Sequence, residues 1–353
     1  LIYKQFEKKK ALLILIIILC IQIIDISSGL KNYINSKVFM RYEKVMFDDP
    51  IWNEISKEFQ IIRTTYPNNN SKIFISSDML VESTDIPPSM NLVQASRKSI
   101  IMSVSDFASK GIIPKYCILS VGIPRSYSEK DIKNLVKGIA KGLKEYNIQL
   151  IGGDTNSSSE LIIDCTIIGF SDVRIPKRKS ARNNDVVYCL GTFGLTGSGL
   201  FLLINKIEPS NSFEKKAIQS VLNPNVDLDI FVKLVNRQLI NSSIDSSDGL
   251  CLSLYKLAES SSVSIYIDKL PFSNGLKKFA SKYDKCINDL LLYSGEEYNI
   301  VFTVKPSNVD KLEQILNKYN INFNKFGTVQ KGSASVYYKN KLLKKRGWDS
   351  FIQ

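Results

Sequence analysis

Residues 152–170, GGDTNSSSELIIDCTIIGF, end one apolar run on two glycines and an aspartate and begin a second apolar run after a polar turn. The first run starts at residue 148 as IQLIGG and is predicted to be a strand. Residues 156–160 are predicted to be a hairpin connection to the next strand. Asp154 is therefore either an ordinary turn residue or a carboxylate that the glycines bring up to a phosphate or a metal ion.

Two earlier segments also carry acids beside small polar residues. SKIFISSDMLVEST (71–84) begins as a β-rich run, which predicts a strand that delivers Ser76, Ser77 and Asp78 to its end. Residues 91–111 have helical periodicity and stop at a glycine, which is typical of a glycine C-cap. Asp106 lies among core-facing neighbours on this helix. Its charge must therefore be paired or bind a cation, unless it lies at the edge of the buried face.

Strand-like and helix-like segments alternate through both halves of the chain, which predicts an α/β (α+β) protein rather than a helical bundle or an all-β sandwich. At 353 residues with 44% hydrophobic side chains, the chain can form two packed domains. The polar, basic and turn-rich residues 171–187 mark the predicted boundary between an N-terminal domain, 48–171, and a C-terminal domain, 172–353.

Residues 1–47 are predicted to be an N-terminal extension. Three lysines precede the uncharged apolar residues 11–24, which fall short of the ~20 residues of a membrane span but fit a signal-peptide core or a marginal anchor. Because the first residue is leucine and Met40 and Met46 follow, a mis-assigned start is the open alternative. Membrane contact is expected only if residues 11–24 are real and retained, and six dispersed cysteines favour a cytoplasmic location.

The composition narrows the partners and the chemistry. A net charge of +13 favours anionic ligands such as nucleotides. The lysines are scattered and form no arginine and aromatic stripe, so nucleic acid is not an expected partner. With no histidine in the chain, a Cys/His zinc site and a mechanism that needs an imidazole base are both disfavoured.

Four motifs place acids beside glycine, serine or threonine: Ser77-Asp78, Ser105-Asp106, Gly152-Gly153-Asp154-Thr155 and Asp245-Ser246-Ser247-Asp248-Gly249-Leu250. Taken singly, each acid is better explained as a cap or turn residue, and Asp248 alone favours a helix N-cap. Taken together, they supply the oxygen ligands that Mg²⁺ prefers, with small neighbours that let a phosphate approach. The set indicates metal-assisted phosphoryl transfer.

The usual nucleotide motifs are absent from the sequence. Neither G-x-x-x-x-G-K-[ST] nor G-x-G-x-x-G occurs, so the pattern predicts neither a P-loop nor a Rossmann site. The glycine-rich GTFGLTGSGL (191–200) enters a helix, and it either cradles a phosphate or serves close packing.

These motifs, in this order, resemble the thiamine-monophosphate kinase family, which shares its fold with aminoimidazole ribonucleotide synthetase. The resemblance covers about residues 71–348 and rests on SSDMLVES, SVSDFASKG, LIGGDT, DSSDGL, SGEEY and GWDSF, with STDIPP similar to archaeal members. It implies an N-terminal mixed-sheet domain that binds ATP and Mg²⁺ and dimerises, and a C-terminal α/β domain. It also implies ATP-dependent phosphorylation of thiamine monophosphate to thiamine diphosphate by direct in-line transfer, with several Mg²⁺ ions, in a homodimer.

The resemblance also implies a role for individual residues, with positioning rather than a catalytic acid or base. The implied metal ligands are Ser76, Ser77, Asp78, Asp106, Asp154, Asp245 and Asp248. The implied ATP contacts are Gly153, Asp154, Arg178 and Ser247. The implied contacts to the substrate are Asp85, Glu296 and Trp348, the last by stacking on the thiamine moiety.

Three features depart from the family pattern. The acidic Gly-Asp-Asp loop expected before the first strand has no acid at the expected spacing in FQIIRTTYPNNNSK (59–72). Asp85 stands where many members have histidine, and Glu297 and Asn299 stand where aspartate and glutamate are common. These departures leave open an inactive or membrane-held paralogue that binds nucleotide or thiamine phosphates, and a related ATP-dependent synthetase with a different substrate.

Overall fold

The computed structural model of the chain describes residues 72–348. The predicted extension of residues 1–47, its apolar segment 11–24 and the end of the GWDSF motif lie outside the described residues, as does all but the last residue of 59–72. Among the described residues, no helix combines the length and the apolar character needed to cross a membrane.

The first part of the chain forms a four-stranded sheet with helices packed on one face. Its strands lie in the order β1, β4, β2, β3, and β4 runs antiparallel to both of its neighbours while β2 and β3 are parallel. The strands are β1 (Lys72–Val81), β2 (Ile113–Pro124), β3 (Gln149–Ser158) and β4 (Ile162–Ser171). The helices are α1 (Glu82–Asp85), α2 (Leu92–Lys110) and α3 (Glu129–Glu145).

Local sequence signals explain where the two long helices begin and end. Asn91 and Gln94 form a capping box at the start of α2, and Ser128 and Asp131 form another at the start of α3. Gly111 ends α2 in the left-handed conformation with φ 63°, and a Cβ there would lie 2.5 Å from Val235 Cγ2. The prediction of a helix that stops at Gly111 is therefore confirmed.

Two predictions about strands are wrong. β1 continues through Leu80 and Val81, because β4 pairs with it as far as Val81 opposite Ile162, so Ser76–Asp78 lie within the strand and not at its end. Residues 156–160 are not a hairpin turn, since β3 extends to Ser158 and pairs with β2. β4 then lies on the other side of β2. A polar turn between apolar runs does not reveal which strand each run will pair with.

The second part of the chain forms a seven-stranded sheet in the order β11, β10, β7, β9, β5, β8, β6. Its strands are β5 (Val186–Leu190), β6 (Ser242–Asp245), β7 (Val263–Ile267), β8 (Ile300–Val304), β9 (Phe323–Lys331), β10 (Ser335–Tyr338) and β11 (Lys341–Leu342). Its helices are α4 (Leu195–Ile204), α5 (Ser212–Leu222), α6 (Leu228–Asn236), α7 (Leu250–Ser261), α8 (Leu276–Lys282), α9 (Ile287–Leu292) and α10 (Val309–Lys318).

Alternate residues of the central strand β5 enter different hydrophobic clusters. Val187 and Cys189 pack with α7 and its neighbours, whereas Tyr188 and Leu190 pack with α6 and α10. All five residues of β5 are buried. The sheet is therefore covered on both faces, as expected for α/β layers.

Helix α2 joins the two sheets. Lys110 Nζ donates a hydrogen bond to the Ser243 carbonyl oxygen on β6, and Ser243 Oγ donates one to the carbonyl oxygen of Ser109. Nearer the middle of α2, Ser105 Oγ donates to Asp245 Oδ2 over 2.8 Å. These contacts place Asp106 beside the end of β6.

Candidate active site

Side chains of β1 and α2 meet on the helix-covered face of the first sheet. Ser76 and Asp78 project to this face because they alternate with residues that face outward. Ser76 Oγ donates a hydrogen bond to Asp106 Oδ2 over 2.5 Å. The fold therefore brings two of the predicted acids, Asp78 and Asp106, together from separate elements.

Asp245 adds a third acid from the second sheet. It ends β6, is only 5% exposed and accepts the hydrogen bond from Ser105. Burial and then the charge of Asp106 raise the pKa of Asp245. Burial, followed by the charges of Asp106, Asp245, Asp164 and Asp248, raises the pKa of Asp78 to about 7. We call Asp78, Asp106 and Asp245 the carboxylate cluster.

Two basic side chains lie near the carboxylate cluster. Burial, and then the positive charge of Arg178, lowers the pKa of Lys110 to about 8, while Asp245 and Asp106 act in the opposite direction. Arg178 is held by its carbonyl oxygen, which accepts hydrogen bonds from Ser242 Oγ over 2.9 Å and from Ser261 Oγ over 2.8 Å. Sequence reasoning missed Lys110, although a lysine one residue before a helix-ending glycine on the same helix as Asp106 was a visible signal.

The oxygen atoms at the carboxylate cluster suit Mg²⁺ in their chemistry. Within residues 72–348, no three carboxylate or thiol side chains stand close enough to enclose a metal ion by themselves. Mg²⁺ commonly takes only one or two carboxylates and completes its coordination with substrate phosphates and water. Ser246 Oγ, next to Asp245, is buried and has no hydrogen-bond partner among the described residues. Mutually repelling carboxylates and a buried free hydroxyl fit such a cation.

The structure does not bring Ser77 and Asp154 to the carboxylate cluster within one chain. Ser77 faces the open side of the sheet, where its hydroxyl donates to Asp164 Oδ1 over 2.7 Å. Asp154 is exposed on β3, in one row across the sheet with Ser120 and Asp164. The neighbouring row joins Asp78 to Gly153 at the far edge, three strand spacings or ~14 Å away.

Asp248 lies next to the cluster but is not a helix cap. Helix α7 begins at Leu250 with Gly249 as its N-cap, so the N-cap interpretation of Asp248 is wrong. Its carboxylate instead forms an ion pair of 2.5 Å with Lys256 Nζ. The preceding residue, Ser247, accepts a hydrogen bond of 2.6 Å from the Glu296 N–H through its carbonyl oxygen.

The residues implied for the substrate converge beside this segment. The Trp348 N–H donates to the Asp248 carbonyl oxygen over 3.0 Å, and a Cβ at Gly295 would lie 3.3 Å from Trp348 Cβ. Glu296 adopts a φ of 64° and forms an ion pair with the buried Lys98, which the sequence analysis did not identify. The Asp85 carboxylate accepts from the Val81 N–H over 2.7 Å, so it is already engaged at the N-terminus of its own short helix.

The glycine-rich segment of residues 191–200, which runs into α4, serves close packing. Glu297 occupies the helix N-terminus, where Oε1 accepts from the N–H groups of Gly194 over 2.7 Å and Thr196 over 3.2 Å. Burial raises the pKa of Glu297 to about 7. A Cβ at Gly199 would lie 2.0 Å from the Ala217 carbonyl oxygen. A carboxylate thus already fills the position that a phosphate would take.

A cavity of about 410 Å³ opens between the start of β1 and the connection after β4. Its lining combines an aromatic ring, two aliphatic side chains and three cations, and consists of Lys72, Phe74, Val173, Arg174, Ile175, Lys177 and Ser180. Arg178 directly follows Lys177. Such a lining suits a molecule with a flat apolar part and an anionic part.

Comparison with known proteins gives consistent matches in both parts of the chain. The N-terminal domain of the AIR synthase related protein family matches residues 59–171, and the C-terminal domain of that family matches residues 182–339. The chain is 32% identical over 309 residues to the thiamine-monophosphate kinase of Nitrosopumilus maritimus, which covers 87% of this chain and 96% of that protein.

Two further relatives agree. The thiamine-monophosphate kinase of Pyrococcus horikoshii is 35% identical over 289 residues, covering 80% of this chain and 87% of that protein. The solved structure of AaThiL complexed with AMPPCP and TMP has a TM-score of 0.72 and 26% identity, and the match covers 93% of this chain and 100% of that one.

Proposed function

Because the chain belongs to the thiamine-monophosphate kinase family of AIR synthase related proteins, we propose that the carboxylate cluster is where it phosphorylates thiamine monophosphate. The reaction uses ATP and yields thiamine diphosphate. The observation that carries the placement is the meeting of Asp78, Asp106 and Asp245 from three separate elements. Without a bound cation, three neighbouring carboxylates would raise the free energy of the folded chain through their mutual repulsion.

The chemistry agrees with a site that has no histidine. The attacking group is a phosphate oxygen, which is already anionic at neutral pH, so direct in-line transfer needs no general base. The main obstacle is repulsion between two anionic reactants, and positive charge reduces it. Arg178 and Lys110 supply fixed positive charge beside the cluster.

We propose that Asp78, Asp106 and Asp245 would hold Mg²⁺, with Ser76, Ser246 and Asp248 of the same chain as further oxygen donors around the bound phosphates. When bound, Mg²⁺ neutralises phosphate charge and orients the oxygens. Ser77 could take part only through its main chain, because its hydroxyl faces the other side of the sheet.

For the two substrates, we propose separate contacts on either side of the cluster. Arg178 and Ser247 would bind ATP together with the cavity between Lys72 and Ser180, and the base of ATP would lie beside Phe74, which lines that cavity. Glu296 and Trp348 would hold the cationic thiazolium, since a carboxylate and an aromatic face both attract a cation. The Asp85 carboxylate accepts from the Val81 N–H and its main-chain oxygen accepts from Lys98, so a contact between Asp85 and the substrate stays a prediction.

We also propose a homodimer that pairs through the open face of the four-stranded sheet. This face exposes Ile73, Ile75, Met79 and Ile113, which are 52–67% exposed, and contiguous apolar surface of this kind marks an interaction site. Asp154 lies on the same face. In a dimer, Gly153 and Asp154 would therefore serve the ATP of the partner's cluster or line the shared interface.

The domain division that fits this site is 48–171 and 172–353, with the cluster between them. We also propose a cytoplasmic location, because the thiols of Cys117, Cys165, Cys189 and Cys251 are buried and unpaired by disulfides.

The test is incubation of the full-length protein with ATP, Mg²⁺ and thiamine monophosphate, followed by chromatography for thiamine diphosphate. Product formation is expected, and no product should appear when Mg²⁺ is replaced by EDTA. A folded sample that binds ATP but forms no thiamine diphosphate would contradict the proposal and favour an inactive binding protein. Offering other phosphate acceptors in parallel separates the kinase from a related synthetase.

A further inference from the structure

Lys98 is a fully buried lysine in the middle of α2, and the roles proposed above do not use it. Its ammonium forms an ion pair with Glu296 and donates a hydrogen bond of 2.6 Å to the main-chain carbonyl oxygen of Asp85. An ammonium buried without partners would strongly destabilise the folded chain, because it would lose its hydration without compensation. The two contacts join α2 to the end of α1 at Asp85 and to the loop that contains Glu296.

The ion pair is asymmetric in its access to solvent. The Lys98 side chain is 1% exposed, whereas that of Glu296 is 31% exposed. The carboxylate can thus reach a ligand while the ammonium cannot. Lys98 is not placed to touch a substrate, and any effect it has must act through Glu296.

Glu296 is held in an unusual backbone conformation. Its φ is 64°, a value that residues other than glycine rarely adopt. Its N–H donates a hydrogen bond to the Ser247 carbonyl oxygen. Tyr298, two residues later, has a φ of 52° and is 3% exposed. Two such residues in one short loop indicate a conformation that its surroundings impose, and such conformations concentrate at ligand sites.

We propose that Lys98 is a positioning residue for the substrate: it fixes the Glu296 carboxylate against the thiamine moiety and keeps the loop of residues 294–299 docked on α2. This inference rests on the proposed function, in which Glu296 faces that moiety. Without Lys98, the carboxylate turns toward water and must be ordered again for each ligand.

The loss of the ammonium also changes the charge of the site. A phosphate monoester carries about −1.5 to −2 at neutral pH, so thiamine monophosphate is anionic overall despite its single thiazolium charge. Removing Lys98 makes the net charge of the site more negative by one. The acids of the site already repel the anionic thiamine monophosphate, and this repulsion would increase. The gain in attraction between Glu296 and the thiazolium is opposed by this repulsion and by the lost orientation, so weaker binding is expected.

The experiment uses Lys98→Met, Glu296→Gln and the double variant, with Lys133→Met on the exposed face of α3 as the matched control. Lys98→Met should raise the KM for thiamine monophosphate about 10-fold or more, with kcat and the KM for ATP within about threefold. In the Glu296→Gln background, Lys98→Met should change that KM by less than about twofold, because the carboxylate it positions is gone. Lys133→Met should leave kcat and both KM values unchanged.

Binding of thiamine monophosphate by titration calorimetry gives the same comparison without turnover. An unchanged affinity in Lys98→Met, or the same loss with and without Glu296, would overturn the inference. If Lys98→Met does not fold, Lys98→Gln keeps a hydrogen-bond donor and removes the charge, and the same outcomes apply. Absence of thiamine diphosphate from the wild-type protein would instead count against the proposed function, while calorimetry still tests Lys98.

Discussion

Replacing Asp78 by asparagine should stabilise the metal-free protein while abolishing its activity. Asp78 is half-buried, and its pKa rises from 3.8 to about 7 through burial and four neighbouring carboxylates, with Asp106 and Asp245 first among them. A rise of about three pKa units corresponds to about 4 kcal/mol. Screening by solvent at this half-buried position reduces the usable effect to about 1–2 kcal/mol.

The sign follows from proton binding. Below pH 3.8 the folded and unfolded chains both carry the proton on Asp78. Between pH 4 and 7 the folded chain keeps it and the unfolded chain has lost it, so the contribution of Asp78 to stability falls as the pH rises. Above pH 7 the full loss is present. Asparagine has nearly the same shape and no charge, so Asp78→Asn avoids the loss.

The assay is thermal unfolding at pH 8 in EDTA and in Mg²⁺, repeated at pH 5. In EDTA at pH 8, the unfolding temperature of Asp78→Asn should exceed that of the wild type by about 2–4 °C for each kcal/mol of added stability. Mg²⁺ should stabilise the wild type more than the variant, and the difference in EDTA should shrink at pH 5. The exposed Asp268→Asn is the control and should show none of these effects. A variant less stable than the wild type in EDTA at pH 8 would refute the reasoning.

Three further changes test other parts of the site. Asp106→Asn should abolish formation of thiamine diphosphate while circular dichroism stays native, because a ligand is lost without a change in volume; near-normal turnover would contradict its role. Arg178→Ala should raise the KM for ATP about 10-fold, the value for one charge-assisted hydrogen bond, and leave the KM for thiamine monophosphate unchanged. Gly199→Ala should lower stability by about 1–3 kcal/mol, since its Cβ would lie 2.0 Å from the Ala217 carbonyl oxygen. The folded fraction of Gly199→Ala should keep its KM for ATP, and a specific rise would restore the phosphate-binding interpretation of the glycine-rich segment.

Local signals in the sequence predicted the helices well. The Asn91 and Ser128 caps and Gly111 act within one turn of the chain, so the bounds of α2 and α3 could be read from neighbouring residues. The ordered motifs also identified the family and the acids of the cluster. Lys98 could not be assigned in this way, because its partner Glu296 is 198 positions away and a lysine in a helix is normally solvent-exposed.

The face of the sheet on which Asp154 lies depends on one extra residue in β3, which could not be predicted from the sequence. Along β3, Leu150 pairs with the buried Cys117, but the next pair joins Gly152 to Ile118, so Ile151 is an extra residue in the ladder. A bulge of this kind reverses which side chains face each side of the sheet. Without it, Asp154 would share the face of Leu150, beneath α2 and on the same side as Asp78.

With the bulge, Thr155 turns inward, and its hydroxyl is buried without a hydrogen-bond partner among residues 72–348. Asp154 turns outward, onto the face that exposes Ile73 and Ile75. A carboxylate there is exposed in a single chain and reaches a phosphate only if another surface brings one. The bulge therefore puts Asp154 on the open face of the sheet, so a contact between Asp154 and ATP would require the homodimer proposed above.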